Sequence, residues 1–321
     1  MRLIIAWLLA LCLMPFISPA QDYDLPAIEK ILSAYAAKGN AMQVAEREWL
    51  PPAGTQVLRD RAASGPDSSY SQERSAMWAF DSAGHILSIQ HREPDEHVRK
   101  GLAETQTAFY YNTQGKLIAL STGAGGKRED SVTYHYLKNG RVADYMVFNG
   151  KNELQYKITY TYKGGQVSML RKKDRENMAI AMIRYKYGNG QLMETQHFDR
   201  NFRLTETRRY SNKQEGGREQ GSFAIMGADG KMKGGASWIK DKEGRIWEEN
   251  EINGDREVTA HRSYTYDTGT EPVSGKVFDA LEESNITYRY TYDAQQNWIR
   301  RETYYDDLLR SVTLREIQYR R

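Results

Sequence analysis

The sequence predicts an all-β protein: an antiparallel meander of repeated Tyr-rich hairpins, with a short N-terminal helix. Three observations carry this reading. Tyrosines alternate, as Tyr288, Tyr290 and Tyr292 do in YRYTYDAQQNWIRRETYY (288–305). A short polar turn, most often with glycine, follows each alternating run. The unit then recurs, with turn glycines Gly140, Gly165 and Gly190 spaced 25 residues apart.

Each observation has a physical reason. Side chains on a strand alternate between faces, so Tyr-x-Tyr puts both rings on one side. Asn-Gly and Gly-Gly supply the positive φ that tight hairpins need. A 25-residue period holds two strands of about 8–10 residues and two turns. Helical spacing does not persist, and the turn glycines would interrupt a helix about every dozen residues. Whether the meander stays open, spirals or closes into a barrel is not fixed by these patterns.

In chain order, residues 1–20 read as a signal peptide. Arg2 supplies positive charge, Leu3 to Met14 is apolar, and Ser18 and Ala20 suit cleavage before Gln21. The run is shorter than the roughly 20 residues a spanning helix needs. Lipidation at Cys12 fits less well, because Leu11 precedes it and Leu13 to Ile17 remain apolar. Cys12 is the only cysteine. Cleavage therefore excludes disulfides, thiol catalysis and thiolate metal sites.

Residues 21–50 read as an N-terminal helical cap built on LPAIEKILSAYAAK (25–38). Ile28, Ile31, Leu32 and Tyr35 make its stripe, Asp24 caps its start and Gly39-Asn40 stops it. Residues 51–76, rich in Pro, Gly and Ser, read as a loop or linker. Residues 77–321 form the repeat domain. Its clean copies start at Tyr134, Tyr160 and Tyr185, and looser ones turn at Gly84, Gly115 and Gly244. The last copy has Gln296-Asn297 where others have glycine. Residues 211–221 read as a flexible interruption, although the same grammar on both sides argues for one array.

The residues of this last copy carry a family resemblance. YTYDAQQNWIRRETYY resembles the YD repeat, also called the RHS repeat, of exported bacterial proteins. Tyr292-Asp293 matches its core dipeptide, as do Phe80-Asp81 and Tyr266-Asp267. The three cleanest copies depart from it and carry Leu137, Lys163 and Gly188 in place of aspartate. That brings them nearer to MORN-like repeats. The resemblance covers roughly residues 77–319. It implies a β-sheet architecture and an exported setting, in a short form without a toxin domain.

Composition narrows the function classes. With 45 Lys and Arg against 42 Asp and Glu, the formal charge is +3, so no whole-molecule field favours nucleic acid or an anionic membrane. An outer-membrane barrel is rejected. Alternate positions carry Lys, Arg and Glu, and the mean hydropathy is −0.74. Tyrosine dominates the aromatics, 22 against 8 Phe, which suits a ring on the core side and a hydroxyl at water.

His91, Glu93, Asp95 and His97 are the one cluster of metal-ligand types, read as a charged surface loop broken by Pro94 rather than a metal site. No cofactor is expected. Adjacent carboxylates, Glu282-Glu283 and Asp306-Asp307, would point to opposite faces of a strand and cooperate poorly. No nucleophile elbow, phosphate loop or metal signature is present, so no enzyme is expected. The basic stretches 171–175 and 200–209 read as solvated strand edges, with an anionic glycan or lipid head group as the functional alternative.

Trp78, Trp238, Trp247 and Trp298, with Tyr292 and Tyr304, are the ligand-contact candidates. They can stack on sugar rings or on a partner's strand, or simply on each other. The expectation is an exported, non-enzymatic binding or scaffold protein of the bacterial envelope, periplasmic or extracellular, with a glycan or envelope protein as partner. An envelope polysaccharide hydrolase and an antitoxin- or immunity-like partner of an exported effector are the alternatives.

Overall fold

A computed structural model describes residues 41–51, 71–94, 102–279 and 282–320. The expected signal peptide (1–20), the helix expected over 25–38, and His97 lie outside them. The strands begin with β1 (Ala41–Leu50), β2 (Ser71–Phe80), β3 (Ile86–Pro94), β4 (Leu102–Tyr111) and β5 (Leu117–Ala124). They continue with β6 (Lys127–Tyr136), β7 (Val142–Asn149), β8 (Leu154–Lys163), β9 (Gln166–Asp174) and β10 (Ala179–Gly188). Next are β11 (Gln191–Asp199), β12 (Leu204–Glu215), β13 (Arg218–Gly227), β14 (Met232–Lys240) and β15 (Ile246–Asn253). The last are β16 (Val258–Tyr266), β17 (Pro272–Asp279), β18 (Glu282–Tyr292), β19 (Trp298–Tyr305) and β20 (Leu308–Tyr319).

Each strand pairs antiparallel with its chain neighbours, from β1–β2 through β19–β20. β1 also pairs with β20, from Ala41 opposite Tyr319 to Trp49 opposite Val312. The meander is therefore a closed, 20-stranded barrel with no free edge. Two stretches differ from the sequence reading. Strands start at Ala41 and Ser71, inside the stretches read as cap and linker. Residues 211–221 belong to the β12–β13 hairpin, turned at Gly216-Gly217, and do not interrupt the array.

Two turn types make the hairpins. Five are two-residue turns with both residues at positive φ: Gly125-Gly126, Gly164-Gly165, Asn189-Gly190, Gly216-Gly217 and Asp306-Asp307. Asp306-Asp307 is thus a turn, and Asp306 accepts the Asn285 backbone N–H at 2.9 Å. Ten others share one five-residue pattern, in which the first N–H donates to the fifth carbonyl and the fourth N–H to the first. The fourth residue has positive φ; it is Gly84, Gly115, Gly140 or Gly244 in four copies and Gln296 in the last. Asn297 is therefore not the left-handed residue of its turn. It follows that residue, is buried, and donates to Tyr319 Oη at 2.8 Å.

The first residue of these turns explains the Tyr-Asp dipeptide. Asp81 Oδ1 accepts the N–H groups of Ala83 and His85 at 2.8 and 2.9 Å. Asp241, Asp293 and Asn112 cap their turns in the same way. Without this side chain, two turn donors would depend on water alone.

One face of the sheet carries Val44, Trp78, Ile89, Phe109, Leu120, Val132, Tyr134, Tyr145, Ile158, Leu170 and Ile183, packed in one buried cluster. Residues from ten successive strands can be covered together only across the ring, so this is the inner face. Tyr134, Tyr145 and Tyr160 run along it, with ring centres 5.7 and 6.3 Å apart. The opposite face is charged. His135 and Lys157 flank Asp144, and Lys186 and Arg209 flank Glu194.

Candidate functional site

The two halves of the inner face differ. From β2 to β10 it is filled with buried apolar and tyrosine side chains. From β11 to β19 it is mixed: buried Phe223, Ala260 and Ile286 share it with charged and polar groups. Glu249 and Glu251 lie two apart on β15 and point the same way. Arg262 of β16 places Nη1 3.4 Å from an oxygen of each. Tyr264 donates to Glu249 at 3.4 Å. Glu251 is 41 % exposed, so water reaches this half of the interior.

Burial sets the ionisation here. It pushes Glu249 up, against the pull of Arg262 and Tyr264. It also raises Tyr264 and Tyr290, and lifts Tyr288 to about 12 with the help of nearby Tyr305. Tyr288, Tyr290 and Tyr292 form a ladder with ring centres 6.3 and 6.0 Å apart. Further along, His197 is lowered to about 4 by burial and then by Arg208, with Glu206 opposing.

On one rim the β2–β3, β4–β5, β6–β7 and β14–β15 turns repeat one contact. The residue after the left-handed turn residue lies over an aromatic ring of the next hairpin. His85 stacks on Tyr111 at 4.8 Å, and Lys116 and Arg141 lie 5.4 Å from Tyr136 and Tyr162. Arg245 lies 4.7 Å from Tyr266. The tyrosine hydroxyls then donate to the carbonyls of Ile86, Leu117, Val142 and Ile246. Each such tyrosine thus ties its own hairpin to the previous one.

The structure separates the aromatic candidates. Trp78, Trp298 and Tyr304 are buried, so none of them can meet a ligand without rearrangement. Tyr304 sits on the outward face, hydrogen-bonded to Glu302 at 2.6 Å. Trp298 carries Arg315 at 3.6 Å from its ring centre. Trp238 lies against Gly221, and its buried Nε1 has no hydrogen-bond partner among the described residues. Trp247 and Tyr292 remain, 42 % and 44 % exposed at the same rim, with Arg218 3.7 Å from the Trp247 ring. Tyr292 continues the inner-face ladder, whereas Trp247 is the bulge residue beside Glu248 and lies on the outward face under Arg218. The sequence pointed to aromatics but missed Glu249, Arg262 and Tyr264; the shared face of Glu249 and Tyr264 follows only from the β15–β16 register.

His91 is on β3, opposite Ala76, and His97 is outside the described residues. Among the described residues no group of three or more His, Cys, Asp or Glu is placed to hold a metal ion. No described helix is long and apolar enough to cross a membrane.

No family model matches this chain, and no curated protein does. Solved structures similar to it include a porin-like protein from Bacteroides uniformis, with 10% identity over 88% of this chain and 99% of that one and a TM-score of 0.34. A porin-like protein from Bacteroides vulgatus has 13% identity over 59% and 94%, with a TM-score of 0.29. A LolA superfamily protein from Nitrosomonas europaea has 10% identity over 91% and 93%, with a TM-score of 0.21.

Proposed function

We propose that this is an exported binding protein of the bacterial envelope, a short YD-type repeat barrel whose rim takes a glycan. The observation that carries the reading is the pair Trp247 and Tyr292, large rings left exposed at one rim of the barrel, the first outward and the second beside the water-reached inner face. Aromatic faces beside arginine and carboxylate groups suit sugar rings with hydroxyls. The turn-capping role of Asp81 and Asp293 supports the YD resemblance, since it gives the aspartate of those two dipeptides a use. The ion pairs on the outward face support a barrel that stands in water. A charge facing lipid costs about 2–4 kcal/mol at the bilayer centre.

Glycan-array binding of the purified chain tests this. Wild type is expected to bind, and Trp247→Ala/Tyr292→Ala to lose most of the signal while keeping its β-sheet circular dichroism. Equal binding by that folded variant, or no glycan bound by wild type, overturns the reading. A second reading, polysaccharide hydrolysis, is favoured by one observation: Glu249 is raised by burial beside Glu251. Cleavage of a bound glycan that Glu249→Gln abolishes would establish it.

A further inference from the structure

Four consecutive hairpin ends on this rim hold no carboxylate. They are Asn112–Lys116, Leu137–Arg141, Lys163–Gln166 and Gly188–Gln191. The chain as a whole balances 45 basic with 42 acidic residues, so overall composition does not explain this. Lys116, Lys138, Arg141 and Lys163 stand there, and among the described residues none makes an ion pair.

The same turn elsewhere on the rim is neutralised. His85 meets Asp81 at 2.8 Å, and Arg245 meets Asp241 at 2.6 Å. Asn112 and Leu137 occupy the position of those aspartates. Asn112 keeps the turn cap, accepting from Gln114 and Lys116 at 2.9 and 3.0 Å, but brings no charge. Lys116 and Arg141 are instead positioned over Tyr136 and Tyr162. A ring holds a cation in place without cancelling its charge. The departures from the Tyr-Asp pattern thus leave a row of ordered, uncompensated positive charges.

We propose that these four turns dock a linear anionic polysaccharide bearing carboxylate or sulfate groups. Successive hairpin ends lie roughly 10 Å apart, two strand spacings. A polymer laid along the rim meets basic side chains at three successive ends. The Tyr136 and Tyr162 rings are covered by their cations and offer no stacking platform, which disfavours single-stranded nucleic acid. Charge complementarity carries the choice of an anion. The proposal rests on the glycan-binding reading but uses other residues.

The test is calorimetric titration of the purified chain with heparin and with polygalacturonate, beside dextran, duplex DNA and phosphatidylserine vesicles. Binding of at least one anionic polysaccharide is expected, weakening as salt rises. Asn112→Asp/Leu137→Asp restores the neutralised turn and is expected to bind about tenfold or more weakly, because each added carboxylate cancels one docking charge. Lys151→Gln/Lys231→Gln/Lys233→Gln/Arg256→Gln, on the opposite rim, is expected to bind as wild type does. Equal weakening by both variants, no weakening by the first, no polyanion binding, or DNA or vesicles bound as tightly overturns the proposal. If a neutral glycan still binds through Trp247 and Tyr292, only this proposal falls and the glycan-binding reading stands.

Discussion

The Lys116 ammonium occupies the space a side chain on Gly140 would need; a Cβ there would lie 2.6 Å from Nζ. Arg141 stands in the same relation to Gly165, at 2.9 Å from Nη2, and His85 to Gly115, at 3.0 Å from Nε2. Each turn is overlaid by the residue that leaves the turn before it. The turn glycines therefore serve twice, for positive φ and for the absence of a side chain. Gly84, with nothing within 4 Å, serves only the first purpose.

The tyrosine ties are separable from the rings. Tyr162→Phe keeps the Arg141 stack and removes only the hydroxyl that donates to Val142 at 2.8 Å. Urea unfolding is expected to show a loss of about 1 kcal/mol. An unchanged midpoint would mean that the tie does not hold the hairpins together.

Gly221 is closed to any side chain by the Trp238 ring. Gly221→Ala is expected to cost about 1–3 kcal/mol through overpacking. In a Trp238→Leu background most of that penalty should vanish, and a double-mutant cycle reads the difference. Additive penalties would refute the contact.

His197 gives stability a pH dependence. Burial and Arg208 lower it to about 4 from an ordinary 6.5. The unfolded chain thus takes up the proton first as pH falls. The stabilisation is full above pH 6.5 and declines from there towards about 4. His197→Gln is expected to flatten the profile across that window. A profile that stays as steep would contradict the buried neutral imidazole.

Below that window the turn caps take over. Burial pushes Asp81 and Asp293 up, but hydrogen bonds prevail and hold both below the usual 3.8: those from the His85 ring and turn N–H groups at Asp81, and from Tyr319 and turn N–H groups at Asp293. Their contribution is present above the unfolded value and is lost as pH falls through the lower folded values. Asp81→Asn/Asp293→Asn, which keeps the cap as Asn112 does, should unfold less steeply in acid than wild type.

The hairpins were legible because their causes are local. Tyr-x-Tyr alternation and the turn residues fix strands and reversals within a dozen residues. Closure was not legible. It depends on β1 meeting β20 across almost the whole chain, and nothing in either strand names the other. The burial of Trp78 and Trp298 was hidden for the same reason, since closure decides which rings face the core and which the rim. The basic residue after the turn was visible at Lys116, Arg141 and Arg245. Its meaning appeared only when the register set it over the next hairpin's ring.

Ring closure is the claim on which the inner face, the rim and the mouth all depend. Ala45 is opposite Glu316 in the β1–β20 pair. The measurement is oxidation of Ala45→Cys/Glu316→Cys, in a chain whose only native cysteine is Cys12, replaced by serine. A closed barrel gives a rapid disulfide within one chain, seen as a faster-migrating monomer on a non-reducing gel. Free thiols after oxidation, or only cross-linked dimers, would mean that the sheet is open.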